Sequence, residues 1–399
     1  MRIARDADAQ PSRLLPAQAA LDSGGLETAP ADSTAPRAPT AAPRGTLGAD
    51  QVQETASFDP SRGLPRWLHA IHDVPLWSSA VALDGPPVAL PAGSTYVKPL
   101  GPFVQSRVEV YFPGDADHRA EQAWVDASAV EPSGIPPWIA PPAGFATPPQ
   151  RISDVTAPDT TALHIAIVDD RSGQLLYGEE PYAHVPQAST TKIATTIVAL
   201  EREPDLSRRI PVTVSATAMA ARDGSSTMGI EPGRSVSLDT LLHGMMLPSG
   251  NDAAEQVALA LADSRAQYLQ WMNDEAAALG LADTHFVNPS GMDAAGHYSS
   301  AYDMAMLARY AMRNATFRDL ASTTRYTSDG FRMQNLNRLL DVYPGADGVK
   351  IGFTDAAQKT IVASATHDGH RVFVSLMHSQ DLVGDCTALF DWVWDTFAW

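Results

Sequence analysis

The sequence predicts an α/β chain of the α+β kind: one antiparallel sheet with flanking helices and a helical insert, preceded by a small all-β unit. Three observations carry this expectation. Residues 159–399 show period-two apolar alternation at both ends, in "ALHIAIVDDRSGQLLYGEE" and "TIVASATHDGHRVFVSLMHS". Between them lie helix-period stretches: "SLDTLLHGMM", "NDAAEQVALALA", "RAQYLQWMNDEAAALG" and "SSAYDMAMLARYAMRN". Upstream, short apolar-aromatic runs are divided by turn residues.

Taken in order, residues 1–62 are rich in Ala, Pro, Ser, Thr and Gly, with hardly any aromatics. Such a segment cannot bury enough apolar surface to offset chain entropy, so it reads as a disordered tether. Residues 63–135 hold "VPLWSSA", "GSTYVKPLG", "SRVEVYF" and "QAWVDASAV", the spacing of a small β-barrel. Residues 136–158 form a Pro-rich, semi-rigid linker. In 159–399, "DDRSG" and Asp368-Gly369 mark two hairpins, and Ser300 with Asp303 marks a helix start. The closing "CTALFDWVWDTF" is amphipathic. Strands from both ends then share one sheet, with the helices inserted between them.

Composition narrows the function. The 399-residue chain carries a net charge of −18, which argues against nucleic acid and anionic membrane surfaces as partners. The single cysteine, Cys386, excludes an intrachain disulfide and any multi-cysteine metal site, and reads as a small packing residue. His164, His184, His285, His297 and His378 show no metal-ligand spacing, so no metal or other cofactor is expected. No run of about 18 apolar residues suggests a membrane-spanning helix, and "MRIARDADAQPSRLLPAQAA" lacks the apolar centre of a signal peptide.

The chemistry sits in "PQASTTKIATTIVALE". Ser189 and Lys192 are three residues apart, so on a helix they share a face. A serine nucleophile needs a base in reach and N–H donors for the oxyanion, and a helix start offers both. A lysine acts as base only if burial or a second cation lowers its pKa. Alone, the pair reads as a helix cap. Two further pieces change this. "MLPSGNDAAE" places Ser249 and Asn251 before a helix, and "GADGVKIGFTDAA" places Lys350 on a strand. SxxK, SxN and K-x-G in this order form the motif set of penicillin-recognising serine enzymes, and Lys350 supplies the second cation.

The flanks "STMGIEPGRSVSLDTLLHGMMLPSGNDAAEQVA", "THFVNPSGMDAAGHYSSAYDMAMLARYAMRN" and "NLNRLLDVYPGADGVKIGFTDAA" are more specific. With them, the chain from Leu163 to Trp399 resembles the serine D-Ala-D-Ala carboxypeptidases, low-molecular-weight penicillin-binding proteins. The resemblance implies a penicillin-binding-protein/β-lactamase-like fold, a peptidoglycan stem peptide as substrate, β-lactams as inhibitors and an extracytoplasmic location whose export signal is not visible here. It implies that Ser189 attacks the carbonyl between the terminal D-alanines, Lys192 takes its proton, Ser249 relays a proton to the leaving amine, and Asn251 holds the substrate amide and Lys192. Lys350 would supply positive charge for the base and the substrate carboxylate. The backbone N–H groups of Ser189 and Phe353 would form the oxyanion hole, and Ile351, Gly352 and Thr354 would complete the strand that binds substrate. Asn335 and Asn337 match a loop-holding feature. The 63–135 segment more weakly resembles a bacterial SH3-like domain.

The pattern departs from the family at its third motif, Lys-Ile-Gly where Lys-Thr-Gly is usual. The lost hydroxyl is expected to weaken carboxylate recognition by roughly 1.5–3 kcal/mol. Gln358 stands where a glycine is usual, and "MHSQDLVGDCTALFDW" offers no arginine for the carboxylate. An active carboxypeptidase is the leading expectation, and a degenerate wall-binding homologue the alternative. A class A β-lactamase is disfavoured, because no E-x-x-L-N pattern follows Asn251.

Overall fold

A computed structural model describes residues 66–82, 89–93, 95–115, 118–139 and 147–399. The expected tether, 1–62, and part of the Pro-rich linker lie outside the described residues.

The N-terminal unit is an antiparallel five-stranded sheet built from β1 (Trp67–Ala70), β2 (Tyr96–Val104), β3 (Arg107–Phe112), β4 (Glu121–Asp126) and β5 (Val130–Ser133), in the order β4-β3-β2-β1-β5. Trp77 pairs with Trp124, bringing the segment after β1 onto β4. Leu68, Val97, Val108, Val110 and Val125 fill its core.

The larger unit has a five-stranded antiparallel sheet. Its strands are β6 (His164–Asp169), β7 (Leu175–Glu179), β8 (Ala346–Thr354), β9 (Gln358–His367) and β10 (His370–Ser379), in the order β7-β6-β10-β9-β8. The sheet does combine both ends of the domain. Asp368 and Gly369, at φ 48° and 79°, make the tight β9–β10 turn, where both central residues need positive φ.

Period-two alternation sorts the strand side chains onto two faces. Ala166, Val168, Val362 and Phe373 join the inner cluster. That cluster holds the helices α1 (Lys192–Arg202), α2 (Leu238–Met246), α3 (Asn251–Leu261), α4 (Arg265–Ala278) and α5 (Ala301–Ala311). Ile165, Ile167, Ile361 and Val374 face outward onto α6 (Leu382–Thr396), where Cys386 is fully buried.

The two units share the inner core. Trp67 is fully buried and donates from Nε1 to the Ala278 carbonyl at 2.9 Å. The Pro-rich segment also docks at both its described ends. Trp138 stacks on Tyr310, and Gln150–Arg151 pairs with Phe397–Ala398.

Candidate active site

The nucleophile turn, Ala188–Thr191, is a 3-10 turn that runs directly into α1. It places Ser189 Oγ 2.8 Å from Lys192 Nζ, one turn on. Lys192 is fully buried. Burial first, and then the charge of Lys350, hold its pKa well below that of an ordinary lysine. Its amine donates to Asn251 Oδ1 and to the Ser290 carbonyl, both at 2.7 Å. A neutral amine has two N–H groups and one lone pair. With both N–H groups committed, the lone pair is left for the hydroxyl of Ser189.

Asn251 opens α3, and its Nδ2 donates to Ser225 Oγ at 3.1 Å. That bond fixes the amide so that its oxygen faces Lys192. The neighbouring Asp252 accepts from the backbone N–H groups of Met228, Gly229 and Ile230, tying their loop to the same helix start. Ser249 is buried at φ 62°, and its Oγ has no hydrogen-bond partner among the described residues. A buried hydroxyl without a partner is costly unless a ligand completes it.

Lys350 projects from edge strand β8, is 2% exposed and donates to the Ile351 carbonyl at 3.0 Å. No carboxylate lies within ion-pairing distance among the described residues, and burial lowers its pKa to about 7. Gly352 faces the nucleophile turn. A Cβ there would meet Ser189 N at 2.7 Å and Ala188 Cβ at 2.9 Å, so only glycine lets the strand lie this close. Asn337 donates from Nδ2 to the Gly348 carbonyl at 3.1 Å, so it does hold the loop against β8.

Thr354 is in place on β8, but its hydroxyl donates to Asp293 Oδ1 at 2.7 Å. Phe353, between Gly352 and Thr354, is half-buried. Ile351 departs from the expectation. Strand alternation turns its side chain away from Lys350 and Gly352 and into the outer cluster that holds Leu339 and Ile361. The expected loss of a side-chain contact to carboxylate is corrected to that extent: residue 351 reaches the site through its backbone. Gln358 takes φ 53°, which accounts for glycine being the easier residue there.

Sequence reasoning missed Ser225 and the loop 288–293. Asn288 Oδ1 accepts the N–H groups of Ser290 and Gly291, shaping the turn that presents the Ser290 carbonyl. Gly291, at φ 94°, lies so close that a Cβ would sit 1.9 Å from the Ala188 oxygen. The turn-rich "NPSG" was the available signal. His297 is structural, as expected. Its pKa falls to about 4 through burial, and it packs between Val287 N, at 3.1 Å, and Thr191 Oγ1, at 3.0 Å. Among the described residues no group of three His, Cys, Asp or Glu side chains is placed to hold a metal ion.

A serine hydroxyl on a buried amine, with a second buried lysine on the adjoining strand edge, is the arrangement that an acyl-transferring serine enzyme needs. Comparison with known proteins makes the class specific. Residues 152–381 match the family described as D-alanyl-D-alanine carboxypeptidase, and the chain belongs to that family. It is 35% identical over 255 residues to the D-alanyl-D-alanine carboxypeptidase DacB2 of Mycobacterium tuberculosis, covering 61% of this chain and 86% of that one. It is 34% identical to DacA of Escherichia coli, covering 57% of this chain but only 58% of the relative. The crystal structure of a Streptomyces DD-transpeptidase superposes with a TM-score of 0.58 at 29% identity, over 60% of this chain and all of that one.

Proposed function

We propose that the protein is a serine-type D-Ala-D-Ala carboxypeptidase that trims peptidoglycan stem peptides through an acyl-serine intermediate. The observation that carries this is the Lys192 amine, with both N–H groups engaged and its lone pair left for Ser189 Oγ. In acylation, Ser189 Oγ bonds to the carbonyl carbon of the penultimate D-alanine while its proton passes to Lys192 Nζ. The bond to the terminal D-alanine nitrogen then breaks. The proton reaches that leaving amine through Ser249, whose hydroxyl has no other partner among the described residues. Backbone N–H groups of Ser189 and Phe353 stabilise the oxyanion. Lys350, with no carboxylate partner among the described residues, attracts the terminal carboxylate of the substrate. Asn251 orients both the base and the substrate amide. Gly352 and the backbone of Ile351 form the strand edge along which the peptide lies, and Thr354 holds its end through Asp293. Water then splits the ester.

A β-lactam would acylate Ser189 by the same route. The N-terminal unit is a five-stranded antiparallel sheet, and the SH3-like barrel expected for residues 63–135 is not identified in it. Likeness to cell-envelope carboxypeptidases supports an extracytoplasmic location. The test is labelling with a fluorescent penicillin, read on a denaturing gel, together with D-alanine release from a D-Ala-D-Ala peptide. Wild type should give a covalent band and D-alanine, and Ser189→Ala neither. No band at high protein and drug would instead support the degenerate homologue.

A further inference from the structure

The junction between the two units holds a second polar cleft, distant in role from the serine. It has a volume of about 340 Å³ and lies between the loop that follows β3, at Pro113–Asp115, and the turn after β6, at Asp170–Arg171. Five arginines line it: Arg171, Arg309, Arg313, Arg318 and Arg371. This concentration is unexpected in a chain of net charge −18.

The partners of these guanidinium groups are mostly neutral. Arg309, 6% exposed, donates only to carbonyl oxygens: Asp170 at 2.6 Å, Trp138 at 2.7 Å, and Ile139 and Arg171 at 3.3 Å. Arg318 donates to the carbonyls of Met312, at 2.7 Å, and Arg313, at 2.8 Å. Arg313 donates to the Gly114 carbonyl at 3.1 Å and stacks over Trp138, while its Nε–H, buried, finds no acceptor among the described residues. Carbonyls satisfy hydrogen bonds but leave the charge uncancelled. The acidic side chains of the cleft are Asp170, 3.7 Å from Arg371, and Asp115, which accepts from His118. Arg371 is itself bound to Asp347 just outside. Among the described residues, five guanidinium groups thus face Asp170 and Asp115, with Asp347 on Arg371 beside them, and Arg309 feels the attraction of Asp170 and, less, the repulsion of Arg313.

We propose that this cleft is an anion site that takes a phosphate group, bridging the N-terminal sheet to the catalytic unit. Guanidinium forks match the oxygens of phosphate, and a doubly charged anion fits the surplus of two cations left after Asp115, Asp170 and Asp347. The site is open to solvent and so admits a free phosphate or one carried on a polymer.

The full chain is titrated with inorganic phosphate, then pyrophosphate, by calorimetry at ionic strength held constant with NaCl. A second arm uses sedimentation with a poly(glycerol phosphate) polymer. Saturable binding is expected, weakened about tenfold or more in Arg318→Gln, since each lost charge-assisted bond is worth about 1.5–3 kcal/mol. Arg171→Gln, at an exposed position, should weaken it without touching the fold. Arg222→Gln, on a distant exposed helix end, should leave it unchanged. Binding of the polymer alone, with the same variant dependence, identifies a polymer-borne phosphate. No saturable binding in either arm, or binding indifferent to both cleft variants, overturns the proposal.

Discussion

Replacing Lys98 by Met removes a cation that two buried carboxylates share. Lys98 comes from β2, yet its ammonium is bound to Glu201 at the end of α1 and to Glu275 on α4. Tyr310 of α5 donates to Glu201 Oε1 at 2.6 Å. The side chains of all three charged groups are 8% exposed or less. Breaking a buried ion pair by deleting one partner costs about 3–5 kcal/mol, because the other charge is left uncompensated. Here there are two such charges, and protonation limits the damage. Glu275 is already pushed up to about 7 by burial and by Glu201. Its folded pKa lies above the unfolded value of about 4.3. The native protein thus holds the extra proton, and wild-type stability falls as pH rises from about 4.3 to about 7 and is flat beyond. At pH 5 Glu275 is neutral, and Lys98→Met breaks only the contact with Glu201 as an ion pair. At pH 8 it removes the partner of both, and since Lys98 is what lowers the Glu275 pKa, Glu275 must then either stay charged without a partner or take up a proton against the pH, each at a cost. Urea denaturation should therefore show a loss of about 3–5 kcal/mol at pH 8 and a smaller one at pH 5. The double variant Lys98→Met/Glu275→Gln should recover part of the pH 8 loss. A loss below about 1 kcal/mol at pH 8, the range of an exposed pair, would refute the reasoning. So would a double variant no more stable than the single.

Other expectations follow from the site. Lys350→Met removes the charge that helps to hold the Lys192 pKa down, so the acidic limb of the penicillin-acylation profile should move to higher pH. An unmoved limb would show that burial alone tunes Lys192. Ile351→Thr puts a hydroxyl into the outer cluster and should cost about 1–3 kcal/mol in urea denaturation, with acylation rate little changed. A clear gain in rate would mean that the hydroxyl does reach the substrate. Gly352→Ala drives a Cβ against Ser189 N and should reduce acylation at least a hundredfold, about 2.7 kcal/mol, as for loss of an oxyanion donor. Near-normal labelling would show that β8 moves aside freely.

What was legible in the sequence was what is local or side-chain specific. Ser189 and Lys192 could be paired because helical spacing alone brings them together. Asn251 and Lys350 could be joined to them because motif order stood in for geometry. The Ser290 carbonyl could not be read, since every residue has one and only the fold chooses which is presented. Lys98, in "YVKPLG", looks like any strand lysine until the N-terminal sheet docks on α1 and α4. Ile351 was a different failure. Period-two alternation puts it on the face opposite Lys350, and a motif match, which names residue types, does not carry that register.

The docking also bears on the chemistry. Ala188 and Ser249 both adopt positive φ, at 49° and 62°, a conformation that costs non-glycine residues about 1–3 kcal/mol each. Such strain persists only where packing over-determines it. For Ala188 the packing is supplied by Gly291 and Gly352, which close on it from two sides. For Ser249 it is the start of α3, pinned by Asp252. α1 carries Lys192 at one end and Glu201, held by Lys98, at the other. The N-terminal sheet therefore grips the far end of the helix whose first residue is Lys192, and the geometry at Ser189 rests on that grip as well as on its own neighbours.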